Sequence, residues 1–202
     1  LVATETLRRD LDSRGFRHVR RWTRGVDTDL FRPRDYDQQA PALRDLPRPI
    51  VLSVGRVAVE KNIDAFLDLN LPGTKVVVGD GPLLPELKRR YPDVVFVGAK
   101  HGEELARHYA AADVFVFPSR TDTFGLVMLE ALASGLPVAA YPVTGPLDVL
   151  TPAVGCMDED LRTAILAALD IPREACRAYA LENGWDACAR QLLDSLVTVR
   201  GS

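Results

Sequence analysis

The sequence predicts an α/β fold built on a doubly wound parallel sheet, with extra helices after the last strand. Two observations carry that expectation. Between Pro49 and about Pro142, short and continuously apolar runs alternate with helix-period segments. Runs that are apolar on both faces suit parallel strands covered by helices on either side, and short joins between them suit right-handed strand–helix–strand units. The composition permits such a core: 47% of the 202 residues are hydrophobic and 26% charged, the balance of an ordinary globular domain.

In chain order, Thr4 to Ser13 reads as a helix ended by Gly15, and His18 to Trp22 as a short strand. Residues 32–49 hold Pro33, Pro41, Pro47 and Pro49 among polar residues, which is linker composition. Ile50 to Gly55 is a buried strand, and Glu60 to Leu69 a helix with Ile63, Phe66 and Leu67 inward. Strands at Lys75–Val78, Val94–Val97 and Val114–Phe117 alternate with helices at Leu83–Tyr91, Glu103–Ala112 and Gly125–Ser134. Pro137 to Ala140 starts another strand. Beyond Pro152 the chain turns helical: Asp158 to Leu169 with Asp158 as N-cap, Pro172 to Glu182 with Pro172 in its first turn, and Trp185 to about Val199. In an open parallel sheet ligands bind beyond the carboxyl ends of the strands. The loops after Val54, Val78, Val97 and Phe117 are therefore where a site is expected.

Charge and cysteine content narrow the function. A net charge of −3 argues against a nucleic-acid partner, which would recruit clustered cations. Arg8, Arg9, Arg14, Arg17, Arg20, Arg21 and Arg24 do crowd the start of the chain. A solvated face is the plainer reading of that cluster; attraction to an anionic inner-leaflet surface is the sharper one. Cys156, Cys176 and Cys188 are odd in number and fit no disulfide or metal framework, so reduced thiols are expected. With no signal peptide and no apolar run of spanning length, the sequence predicts a soluble, cytoplasmic protein, peripheral to the inner membrane at most. The chain opens Leu1-Val2-Ala3-Thr4, without an initiating Met, as if cut from something longer.

The edge loops share a chemistry. Arg56 and Lys61 flank the predicted start of a helix in Gly55-Arg56-Val57-Ala58-Val59-Glu60-Lys61-Asn62. A guanidinium that grips two oxygens, an ammonium acting as a point charge and a helix N-terminus together make a diphosphate clamp. Alone, such a pair near a turn is more often solvated. Gly79-Asp80-Gly81-Pro82 follows a strand and lets a ligand approach the backbone closely, or is a plain strand-to-helix turn. Asp122 lies in the loop after Phe117, Gly125 opens a helix with unpaired N–H groups, and Glu130 lies inside that helix. Leu126, Val127, Ala133 and Ser134 share the Glu130 face, so a carboxylate there needs a partner; the two hydroxyls of a ribose would supply one.

These motifs together resemble the retaining GT-B glycosyltransferases of family 4. Asp122, seven residues, Glu130, with Phe124-Gly125, Ala131 and Gly135-Leu136-Pro137-Val138, is similar to the family's Glu-seven-Glu signature. Val54-Gly55-Arg56 with Glu60-Lys61-Asn62, Val78-Gly79-Asp80-Gly81-Pro82, Val97-Gly98, Ala112 to Ser119, and Gly25-Val26-Asp27 with Phe31-Arg32-Pro33 follow the family order. The resemblance runs from about residue 2 to 197. It implies a Rossmann-like, C-terminal half of a GT-B enzyme. Arg56 and Lys61 would hold the donor diphosphate and absorb its charge, and Asp122 would contact the transferred sugar near the reacting face. Backbone at Gly55, Gly79, Gly81, Thr123, Phe124, Gly125 and Leu126 would meet phosphate or sugar; Val97 and Lys100 would line the base pocket; Glu130 would hold the ribose. Asp122 departs from the family's Glu by one methylene.

The resemblance also implies a division of the chain. Residues 1–24 would be a remnant of an acceptor domain, 25–49 an interdomain linker, 50–182 the donor domain and 183–202 a crossover helix that leaves apolar surface exposed without its partner. The donor would be a UDP- or GDP-sugar, and the acceptor a lipid, saccharide or small molecule held by the half upstream. No cofactor and no essential metal are implied, and His18, His101 and His108 show no metal spacing. Two other functions compete: a GT-B sugar epimerase, and a nucleotide-binding module without activity in isolation.

Overall fold

The computed structural model describes residues 1–122 and 124–196. Thr123, a sequence-derived site residue, and the chain beyond Leu196 lie outside the described residues. Six parallel strands form one sheet in the order β3-β2-β1-β4-β5-β6. They are β1 (Ile50–Val54), β2 (Thr74–Val78), β3 (Val95–Gly98), β4 (Val114–Phe117), β5 (Val138–Ala140) and β6 (Gly155–Met157). The order runs outward both ways from the β1–β4 pair, so the connections change direction there and leave a crevice between the two strand ends.

Each face of the sheet packs its own core. One face carries Leu52, Val76, Val78, Phe115, Phe117, Val138 and Ala140. Over it lie α4 (Gly102–Ala111), α5 (Leu126–Ala133) and α8 (Arg173–Glu182), through Tyr109, Met128, Leu132, Cys176 and Ala180. The other face carries Val51, Val77, Val114, Val116 and Ala139. It is covered by α2 (Ile63–Leu67), α3 (Leu84–Arg90) and α7 (Leu161–Ala168), through Phe66, Leu67, Leu87 and Ile165. Alternate strand residues feeding opposite cores explain why the strands are apolar throughout rather than every second residue. The Pro-rich stretch before β1 adds Val26, Phe31, Ala40 and Leu43 to the first core. A fully buried Leu such as Leu43 contributes about 1.5–3 kcal/mol over an exposed one.

Several sequence expectations are corrected. Residues 18–22 form no strand: Val2 and Arg21 make one isolated bridge, held by Val2 N donating to Arg20 O at 3.0 Å and Trp22 N to Val2 O at 2.8 Å. His18 sits at φ 62°, outside the extended region, so pairing cannot propagate. The helix expected over residues 60–69 is broken: a 3-10 turn at Val59–Lys61 gives way to the five-residue α2 across Asn62, which is left-handed at φ 52°. Asn tolerates that conformation, and its Nδ2 donates to Pro118 O at 3.0 Å.

Two elements had no counterpart in the sequence reading: the helix α6 (Thr144–Val149) and a sixth strand, β6, which precedes the helical tail. The N-cap of α7 is Asp160, whose Oδ1 accepts from Arg162 N at 3.0 Å. Asp158 instead closes a local turn by accepting from Asp160 N at 2.8 Å, because β6 runs as far as Met157 and leaves no room to start the helix there. Pro172 is the N-cap of α8 rather than part of its first turn. The first helix, α1 (Glu5–Ser13), and the last described one, α9 (Trp185–Ser195), stand where expected, with Thr4 capping α1 by accepting from Leu7 N. No described helix is long and apolar enough to cross a membrane.

Candidate functional site

A cavity of about 650 Å³ opens at the crevice between the ends of β1 and β4. That volume suits a ligand of nucleotide size. Its floor is Ser53, Val54, Phe117 and Pro118 at the strand ends, and one wall is Phe124, Gly125, Leu126 and Val127 at the start of α5. Gly125 is the N-cap of α5 at φ 77°. A side chain there would meet Phe117 Cζ and Met128 Cε at 2.9 Å, so the tight entry into α5 selects glycine.

Four of the charged residues come from the two flanking loops. Lys61 Nζ donates to Asp122 Oδ1 at 2.6 Å, and Arg56 NH1 to Glu60 Oε1 at 3.2 Å. All four line the cavity. The β1 and β4 loops are also tied by Thr121 Oγ1 donating to Glu60 O at 3.2 Å, beside the Asn62–Pro118 bond. Lys61 therefore sits at a pinned kink between two loops, which fixes its place far better than a free surface lysine.

Two smaller cavities continue from the first. One of about 240 Å³ shares Val54, Gly55 and Arg56 with it and adds Gly79 and Lys100. The next, about 530 Å³, is lined by Val97 and Lys100 together with Ala40, Pro41 and His108. Of the expected site residues, Gly55, Arg56, Lys61, Asp122, Phe124, Gly125 and Leu126 share the main cavity, while Gly79, Val97 and Lys100 lie along its extension. Lys100 is paired with Glu104 at 2.5 Å.

Gly81 lines none of the three cavities. A Cβ there would stand 2.3 Å from Val57 O, so its glycine serves the close packing of two loops. Glu130 also lies behind the cavity lining. Its Oε2 accepts from the Tyr109 hydroxyl at 2.9 Å, which gives the half-buried acid a protein partner that the sequence had not revealed. Burial holds the Glu130 carboxyl above the usual carboxylate range, and the Tyr109 bond opposes that rise. Arg24, Ser53 and Ser119 line the main cavity without having been marked by the sequence. Arg24 directly precedes the Gly25-Val26-Asp27 motif, but nothing local says that it turns inward.

A family model described as "Glycosyl transferases group 1" matches residues 48–171, more than half of the chain. The chain belongs to that family. The chain is 39% identical over 206 residues to the GDP-mannose-dependent alpha-mannosyltransferase of Mycobacterium tuberculosis, covering 95% of this chain and 54% of that relative. The chain thus spans about half of that relative's length. Among solved structures, sucrose-phosphate synthase from Thermosynechococcus elongatus matches with a TM-score of 0.77 at 30% identity, over 95% of this chain and 56% of that one. Anabaena HepE in complex with UDP matches with a TM-score of 0.76 at 18% identity, over 96% of this chain and 62% of that one, a likeness of fold. The sheet is the Rossmann-like one of GT-B glycosyltransferases, with added C-terminal helices.

Proposed function

We propose that this chain is the donor-binding half of a retaining glycosyltransferase that moves a hexose from a nucleotide diphosphate sugar to an acceptor hydroxyl. The observation that carries the reading is the single cavity at the β1–β4 crevice lined by Arg56, Lys61 and the start of α5. In this reading the bond from the anomeric carbon to the diphosphate oxygen breaks, the bond to the acceptor oxygen forms on the same face, and the acceptor hydroxyl passes its proton to the departing diphosphate. Arg56 and Lys61 stabilise the charge that gathers on the departing diphosphate, aided by the first N–H groups of α5. Both cations are already paired with carboxylates, so diphosphate binding exchanges Glu60 and Asp122 for phosphate oxygens.

Asp122 then either contacts the sugar or holds Lys61 in register, which its 2.6 Å pair with Lys61 favours. Glu130 takes ribose hydroxyls while Tyr109 fixes one of its oxygens. A GDP-sugar is the first donor to test, because a relative of 39% identity is GDP-mannose-dependent; a UDP-sugar is the second, because the HepE fold was solved with UDP. Residues 1–24, 25–49, 50–182 and 183–202 are proposed as acceptor-domain remnant, linker, donor domain and crossover helix. The acceptor, whether lipid, saccharide or small molecule, is bound by a domain upstream.

Calorimetric titration of the chain with GDP, UDP and ADP tests the reading, with tight binding expected for one of the first two. In the full-length enzyme Lys61→Ala is expected to depress turnover by about two orders of magnitude or more, the scale of losing one preorganised charge contact in the transition state. Unchanged turnover would remove Lys61 from the reaction.

A further inference from the structure

We propose that Arg24 is a third cation for the donor diphosphate, carried into the cavity from outside the sheet and held there by α9. This rests on the nucleotide-binding reading above and goes beyond it. Arg24 lines the main cavity with Arg56 and Lys61, so three cations there face two carboxylates, Glu60 and Asp122. Those two carboxylates are already paired, with Arg56 at 3.2 Å and Lys61 at 2.6 Å. Among the described residues Arg24 makes no ion pair. Among the described residues it is the one cation of the cavity that can meet an anion without first breaking a bridge. The sugar and the base of a nucleotide sugar are uncharged in the common cases, so the diphosphate is the group its charge selects. A planar guanidinium suits two phosphate oxygens at once.

The segment that carries Arg24 is fastened in place. The guanidinium carbon lies 5.9 Å from the Trp22 ring centroid, within cation–π range. Trp22 Nε1 donates to Cys188 O at 3.1 Å, and Thr23 donates to Gln191 Oε1 through its N at 3.1 Å and its Oγ1 at 2.9 Å. Cys188 Sγ donates to Thr23 O at 3.0 Å. Gly25 packs so closely on α9 that a Cβ would stand 2.8 Å from Trp185 Cα. Trp22, Thr23 and Gly25 are thus fastened to α9, and Arg24 between them stays exposed beside the cavity. An arginine ordered before binding loses less freedom when it binds than one on a loose loop.

The test is calorimetric titration of the protein and of Arg24→Ala and Arg24→Lys with GDP and UDP, and with the parent nucleosides guanosine and uridine. Arg24→Ala is expected to weaken binding of the preferred nucleoside diphosphate about tenfold or more, the scale of one lost charge-assisted hydrogen bond, and to leave nucleoside binding unchanged. Arg24→Lys should restore part of the loss. An Arg24→Ala protein that binds the diphosphate as tightly as the parent overturns the proposal, as does equal weakening for diphosphate and nucleoside. A parent protein that binds none of the diphosphates overturns the functional reading itself, and this proposal with it.

Discussion

Glu130 is an acid on an otherwise apolar helix, and its surroundings set a pH dependence. Burial raises its pKa, and the Tyr109 hydroxyl, itself in the core and pushed well above the ordinary phenol range, donates to one of its oxygens. A folded-state pKa above the unfolded value means that folding is favoured by protonation. The stability this site adds is present in full below the ordinary glutamate pKa and lost as pH rises through the raised folded value. Glu130→Gln keeps the shape and removes the titration. Its melting temperature is expected to exceed that of the parent at neutral pH, with the gap closing on acidification through the carboxylate range; a gap independent of pH would discard burial of the charge as its cause. Elsewhere Glu103 and Glu104 have lowered values because Arg34 and Lys100 bond their carboxylates, so the parent's own stability still falls in acid. Subtracting the variant from the parent isolates Glu130. None of this was legible locally: the spacing marked Glu130 as needing a partner, but Tyr109 lies 21 residues away on another helix.

At the scale of elements, the edge loops are built by approach of one backbone to another. Gly55 N donates to Val78 O at 3.0 Å, Val57 N to Asp80 O at 2.9 Å and Gly79 N to Gly98 O at 2.9 Å, so each loop is fastened to the next along the sheet edge. A Cβ on Gly79 would stand 1.8 Å from Gly55 O. Gly79→Ala must push apart the β1 and β2 loops and is expected to cost about 1–3 kcal/mol, the usual range for forced overpacking. In a chain of this size that lowers the melting temperature by roughly 2–10 °C. The same change should displace Gly55 and Arg56, so nucleoside diphosphate binding should weaken in parallel; a melt unchanged from the parent would contradict the close approach.

The elements that could be read in advance were those with a strong period. β4 is an unbroken run of Val and Phe, and most residues of β1 and β2 are β-branched. β6 has three residues and none is β-branched, and α6 contains Gly145 and Pro146, so neither announces itself. Asn62 breaks a helix that periodicity alone would have continued, because a bond to Pro118 across the crevice repays the left-handed turn.

Over the whole molecule, α9 links the two ends of the chain to the site. It bonds Trp22 and Thr23 through Cys188 and Gln191, and Arg20 NH1 donates to Asp194 O at 3.1 Å. Trp185 and Leu193 of α9, and Leu196 just after it, are exposed. Ending the chain before Trp185 should lower the melting temperature and weaken nucleoside diphosphate binding at least as much as Arg24→Ala does, since it releases the whole segment bearing that arginine. Truncation that leaves the affinity of the parent would show that residues 22–25 hold their place without α9.

The alternation of apolar runs and helical periods was sufficient to determine a parallel, two-faced sheet and the edge on which its polar loops gather, because period and apolarity are properties of neighbouring residues. Motif order along the chain likewise pointed to a diphosphate and to Arg56 and Lys61. Only the tertiary structure decided that Asp122 pairs with Lys61, that Tyr109 meets Glu130, that Gly81 packs against Val57, and that Arg24 lines the cavity. Each of those contacts joins residues that different elements bring together, and such meetings depend on strand register, loop closure and helix packing, which no local stretch of sequence encodes.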